Sequence, residues 1–429
     1  MHAATEGRLE IDVSARVSPV TPGGDRDLSR PLHPEIGVIA LVPDTWGPQW
    51  QVRQHVLTRL AEHFHVVWMN PPRHWRELWR AGNSPPDGDL PPGFIVYTPP
   101  VWLTRTHRFR FLSRWSLGEQ LRHARSLLTA RGVKRIVLYL WRPEYADALS
   151  LGRYDLTCYH IDDEYSFSLV EVETSAQELQ VLETVDQVFI HSPALMEKKG
   201  RVNPRTEVVP LGVDYAQYAA TWPEPPDLAS IPRPRIGYVG VLKKTLDWPL
   251  LTYLSGRHPE WSFVLLGPRG PHEEIQEPLR ELEGRSNVHV LPGRPTRELA
   301  AYPQHLDVCI MPYVLNDYAR YGYPLKCHEY LAGGRPVVGA RMRTLEGFED
   351  VMMLAVTPEE WEQSIQKALS PDLQGAEQME ARRAVARDHD WKGLVERIAV
   401  RMESQLRERG RVTETASHSP MTDAARSRG

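Results

Sequence analysis

The chain has 429 residues, 41% hydrophobic and 25% charged, with a net charge of −4. That is ordinary globular usage in a chain too long for one core, so two domains are expected, and the acidic balance gives no general affinity for nucleic acid. Cys158, Cys309 and Cys327 are odd in number and lack paired spacing; this excludes a disulfide framework or a zinc site and points to a reduced, cytosolic setting.

Residues 1–33 mix charged, Gly and Pro residues without the apolar stretch of a secretory signal, and read as a disordered arm. Short apolar runs then alternate with helical patterns. Strands are predicted at 36–42, 65–69, 94–97, 135–141, 157–161 and 187–191, with helices at about 49–63, 117–131 and 173–185. The rhythm breaks at 213–234, where two proline clusters read as a linker. It restarts with strands at 235–241, 262–266, 287–291, 308–311 and 336–340, and helices at about 247–257, 274–284, 296–302 and 358–369. A last helical stretch, about 375–409, carries Trp391, Leu394 and Ile398 on one face. No apolar run approaches the ~18 residues of a membrane-spanning helix. The organisation expected is α/β: two doubly wound Rossmann-like domains, 34–212 and 235–390, facing a cleft. A helix at 391–411 and a structureless tail at 412–429 follow.

The most informative stretch is 324–338, Pro-Leu-Lys-Cys-His-Glu-Tyr-Leu-Ala-Gly-Gly-Arg-Pro-Val-Val. It predicts a short helix entered at a proline and ended by twin glycines, with a buried strand after it. The amides at such a helix mouth, near Leu325, offer a phosphate site, and Lys326 adds a cation. Glu329 lies one turn on, where a carboxylate can grip a ribose diol. The alternative is an ordinary helix–strand unit with Glu329 as a surface charge. Gly237 and Gly240, after the strand at 235, would let backbone approach the diphosphate, although a glycine pair there is common in any doubly wound fold. Lys243 and Lys244 are either phosphate ligands or surface lysines.

In the first domain, His160-Ile161-Asp162-Asp163-Glu164 ends a strand and should face the cleft. His160 or Asp162 could orient an acceptor or take its proton; Asp162 and Asp163 could instead hold a cation, or the run is a solvated loop. Trp46, Arg53 and His55, after the first strand, are acceptor-binding candidates or ordinary packing and solvated groups. Residues 73–80 and 102–125 interleave arginine with Trp, Phe and Leu. That composition suits an anionic membrane surface, against the alternatives of a nucleic-acid patch or a solvated face.

Taken together, these residues resemble the GT-B glycosyltransferases of family 4 (group 1), in the branch that contains teichuronic acid and exopolysaccharide transferases. The resemblance is carried by 324–338, by Ile-Gly-Tyr-Val-Gly at 236–240, by Phe-Val-Leu-Leu-Gly-Pro at 263–268 and by 307–313. In the first domain it continues through 44–55, 66–71 and 208–214, and it covers about 36–405. It implies an enzyme that moves a sugar from a UDP- or GDP-sugar to a lipid-linked or polysaccharide acceptor. The transfer would be retaining and independent of a metal, with no tightly bound cofactor. The enzyme would be cytoplasmic and peripheral on the inner face of the cell membrane. Gly237, Gly240, Lys243, Lys244, Gly267, Leu325, Lys326 and Glu329 would hold the donor. Two departures stand out: Tyr321 occupies the place of the first of two motif glutamates, and Val241 the place of a phosphate-binding arginine. The first departure motivates an alternative, a catalytically degenerate scaffold that binds sugar nucleotide or a partner protein.

Overall fold

The computed structural model describes residues 30–47, 50–72, 90–103, 109–165, 172–271, 273–317 and 319–417, with side chains to 409. Seven parallel strands build the first sheet: β1 (Ile36–Leu41), β2 (His65–Met69), β3 (Phe94–Tyr97), β4 (Arg135–Leu140), β5 (Leu156–Ile161), β6 (Gln187–Ile190) and β7 (Thr206–Val208). Their order is β3-β2-β1-β4-β5-β6-β7. Six more form the second: β8 (Arg235–Val239), β9 (Ser262–Leu266), β10 (Val288–Leu291), β11 (Val308–Met311), β12 (Val337–Ala340) and β13 (Met353–Ala355), in the order β10-β9-β8-β11-β12-β13.

Both sheets are covered on two faces, as their near-continuous apolar strands require. Along β1, Val38 and Ala40 enter one cluster with Val56, Leu60 and Trp68, while Ile39 and Leu41 enter the other with Leu121, Ala124 and Leu128. In each sheet the strand order reverses at the first strand in sequence: β1 lies between β2 and β4, and β8 between β9 and β11. Loops leaving the carboxyl ends diverge there and open a crevice.

Three boundaries differ from the sequence reading. The segment 213–234 is not a free linker: Tyr218, Leu228 and Ile231 are buried in the second core. The stretch 375–409 is two helices, Ala376–Asp388 and Trp391–Ser417, so the closing helix runs past 411. Its apolar face, with Trp391, Leu394, Ile398 and Met402, returns to the first domain and joins the cluster of Val38 and Val56. The chain passes between the domains twice at one place. Val213 N–H donates to the His389 carbonyl (3.0 Å) and Trp391 N–H to the Val213 carbonyl (3.0 Å). Residues 1–29 and 418–429, which hold most of the expected arm and tail, and Arg73–Arg80 of the basic aromatic run lie outside the described residues.

Candidate functional site

On the second domain, β8 and β9 end in glycines with φ of 149° and 151°, Gly240 and Gly267. A Cβ on Gly267 would sit 2.0 Å from the Gly240 carbonyl oxygen, and one on Gly240 would sit 2.0 Å from Lys326 Cε. Lys326 therefore lies directly over a bare backbone turn, its Nζ 5.4 Å from the Tyr238 ring. It opens the helix Lys326–Gly333, which starts at Leu325 without a side-chain cap and stops at Gly334 in the left-handed conformation, φ 78°. Lys243 comes to the same place from the loop after β8. Burial and the neighbouring Lys326 charge lower its pKa, and Asp163 across the cleft opposes them. Two ammonium groups close together near uncapped helix amides form a focus of positive charge suited to a diphosphate.

Glu329 is half-buried beside this focus. Burial pushes its carboxyl above the usual value, while Lys326 and a hydrogen bond from the Tyr218 hydroxyl pull it back. Lys243 and Lys244 are both exposed on the loop after β8. Gly237 is not at the turn. It is inside β8, and a Cβ there would meet Leu306 Cδ1 at 2.4 Å, so its place is one of packing.

On the first domain the structure rearranges the candidates. His160 is only 1% exposed, stacked on Trp141 at 4.2 Å, with Nδ1 2.8 Å from the Tyr139 hydroxyl. Burial drives its pKa to about 3. It is a neutral core histidine, not a cleft base. Asp162 does reach the cleft, held by Arg53 Nη2 at 2.9 Å and by the Tyr165 hydroxyl. Arg53 also pairs with Asp44 at 2.5 Å and is buried. It is thus a clamp between two carboxylates, and the structure does not offer it to an acceptor. His55 stacks on Trp391 at 5.4 Å, and burial takes its pKa to about 3, so it seats the closing helix. Trp46 meets Trp68 edge-on at 5.1 Å, and its backbone N–H donates to Asn70 Oδ1 at 2.8 Å.

A cavity of about 180 Å³ lies between the domains, walled by Asp162, Asp163 and His191 on one side and Lys243, Thr245 and Tyr323 on the other. His191 escaped the sequence reading. The strand-end rule applies to β6 as it does to β5 and would have found it. Its Nδ1–H donates to the Ile161 carbonyl at 3.0 Å, which leaves Nε2 as the ring's acceptor. Thr245 Oγ1 is buried, and among the described residues no hydrogen-bond partner meets it. Such an orphan in a cavity wall points to a missing ligand. Tyr321 takes no part: its ring enters the first-domain cluster, with Lys198 Nζ 4.9 Å from it. Among the described residues no group of three His, Cys, Asp or Glu side chains is arranged to hold a metal ion.

Residues 233–371 match the family model described as Glycosyl transferases group 1, which bears out the resemblance in the domain whose motifs carry it most strongly. The chain is 28% identical over 236 residues to the putative teichuronic acid biosynthesis glycosyltransferase TuaH of Bacillus subtilis. That match spans 52% of this chain and 57% of the relative, little more than half its length. Among solved structures, the sucrose-phosphate synthase of Thermosynechococcus elongatus superposes with a TM-score of 0.65 at 16% identity, over 87% of this chain and 98% of that one. Anabaena HepE in complex with UDP gives 0.60 at 15%, over 86% and 100%. These likenesses establish the GT-B fold.

Proposed function

We propose that the protein is a glycosyltransferase that moves a sugar from a nucleoside-diphosphate sugar to a polysaccharide or lipid-linked glycan. The observation that carries this reading is Lys326 over Gly240 at the mouth of an uncapped helix, with Lys243, a wall residue of the interdomain cavity, near enough to feel its charge. As the glycosidic bond to the donor breaks, negative charge develops on the diphosphate. Preorganised cations and amides stabilise that charge more than they do the bound donor. Metal independence is supported in the same way, since the chain supplies the positive charge itself.

Glu329 accepts the ribose hydroxyls in place of the Tyr218 hydroxyl, and Thr245 supplies a hydrogen bond to the donor. Across the cavity, Asp162, fixed by Arg53, and His191, through Nε2, orient the acceptor hydroxyl and receive its proton. UDP is the nucleotide named in the HepE structure, which favours it over GDP. Retention of anomeric configuration and an acceptor at the inner face of the membrane rest on the family resemblance.

Calorimetric titration with UDP and GDP tests the donor half. Binding of one of them that weakens at least ~tenfold in Lys326→Ala, with an unchanged melting temperature, supports the reading. Undiminished binding removes its basis. The burial of Tyr321 in the first-domain cluster favours a second reading, a scaffold that binds nucleotide without turnover. Nucleotide binding with no release of UDP or GDP from the corresponding sugar nucleotides, on any acceptor tried, would select it.

A further inference from the structure

The helix Arg110–Thr129 buries Ser116, Gln120, Leu121, Ala124 and Leu128 against the first domain. At its amino end it does the opposite of what a globular surface does. Phe111 is 69% exposed, Trp115 50% and Phe109 48%, and beside them Trp102 is 65% exposed and Val101 53%. Trp102 and Trp115 lie 6.3 Å apart and Phe109 and Phe111 6.1 Å, so the groups form a patch and not scattered singles. Contiguous apolar surface of this kind marks an interaction site.

Charge selects the partner. The helix carries Arg110, Arg114, Arg122 and Arg125 against the single acidic residue Glu119, in a chain whose net charge is −4. The apolar residues sit together at one end, among arginines; Arg114 there pairs with Asp147 at 3.0 Å and Arg122 with Glu119, so Arg110 and Arg125 carry the surplus positive charge. Exposed aliphatic groups, Val101 and Leu112, have no stacking role to play on a nucleobase but are favourable in hydrocarbon. Tryptophan suits the interface between hydrocarbon and headgroups. The same helix also contributes Arg110, Ser113 and Leu117 to the wall of a second cavity, together with Leu41 and Asn70 near the carboxyl ends of β1 and β2. The patch is therefore continuous with the face of the first sheet that the crevice opens on.

We infer that the amino end of this helix and the adjoining Val101–Trp102 corner dock the protein on an anionic lipid bilayer, with the aromatic groups in the interface and the arginines on lipid phosphates. This gives the lipid-linked acceptor of the proposed function a surface from which to enter the first domain. It rests on that reading for its purpose only, since the docking stands on the patch itself.

The test is co-sedimentation of the full chain with vesicles of phosphatidylglycerol and phosphatidylcholine, against phosphatidylcholine alone. The wild type should partition at least ~tenfold more strongly to the anionic vesicles, and the preference should fade with salt. Phe111→Ser/Trp115→Ser should lose at least ~tenfold of the partitioning. Arg110→Gln should reduce the preference for anionic lipid. Both should leave the melting temperature and nucleotide titration unchanged. A wild type that ignores anionic vesicles, or a double variant that binds them as before, overturns the inference. So does a double variant that instead converts a dimer to a monomer by light scattering, or a wild type that prefers an oligonucleotide to the vesicles. A protein that titrates nucleotide but fails on vesicles sinks this inference alone; one that does the reverse sinks only the donor site.

Discussion

Glu329 is held at a compromise between burial, which favours its protonated form, and Lys326 and the Tyr218 hydroxyl, which favour the carboxylate; burial wins. An acid whose folded-state pKa stands above the ordinary 4.5 favours folding below that value, and the contribution is lost as pH rises through the folded-state pKa. Glu329→Gln should therefore melt progressively higher relative to wild type as pH rises above 4.5, while its affinity for nucleotide falls. A melting difference that does not change with pH would contradict this. His160 and His55 have the opposite sign. Their pKa values are lowered from 6.5 to about 3, so their contribution is present above 6.5 and is lost as pH falls from there towards 3. Urea unfolding of His160→Gln should show a shallower loss of stability over that window than wild type. The proposed donor site could be read as one group because Lys326, Glu329 and the twin glycines belong to one local motif whose spacing carries its geometry. His160 misled because a strand end fixes which loop faces the cleft but not which side chain. In a pleat, the residue before the last one points the other way.

Between single residues and whole domains, the loop after β5 owes its position to a buried ionic cluster. Lys199 Nζ lies 2.9 Å from Glu164 and 3.0 Å from Glu178, with all three side chains fully buried. Glu178 also accepts from the Tyr159 hydroxyl at 3.0 Å. Lys199→Met leaves two carboxylates buried without their shared cation, which should cost about 3–5 kcal/mol in chemical unfolding. It should also weaken the Asp162 side of the cleft, lowering turnover more than nucleotide affinity. Unchanged stability would mean that the cluster is hydrated and dispensable. None of this was visible in the sequence, because the partners come from three separate elements. The strands themselves were visible wherever they were apolar runs of four or more. The two that were missed, β7 and β13, are three-residue edge strands, too short to show any period.

For the molecule as a whole, the closing helix is the feature that sequence order conceals. It follows the second domain in the chain yet completes the core of the first, where Trp391, Leu394 and Ile398 cover Val38 and Val56. Removal of residues 391–429 should expose that face. The shortened protein should aggregate or lose cooperative unfolding by calorimetry, whereas a soluble protein with a wild-type melting temperature would show that the helix is peripheral. The packing of the 213–234 linker escaped the sequence for a related reason. Its prolines and charges dominate composition, while the residues that anchor it, Tyr218, Leu228 and Ile231, are too widely spaced to form a pattern.

The paired passages at Val213 and Asp390 carry one more consequence. Because the backbone enters and leaves the rear lobe side by side, residues 214–390 form a cassette whose two ends meet, inserted into an otherwise continuous front lobe. Excised, that cassette should be an autonomous nucleotide-binding module, soluble and able to titrate UDP by itself. The remaining halves of the front lobe, joined by a short glycine-rich bridge, should fold without it. Mutual dependence of the two pieces in refolding would show instead that the lobes mature together.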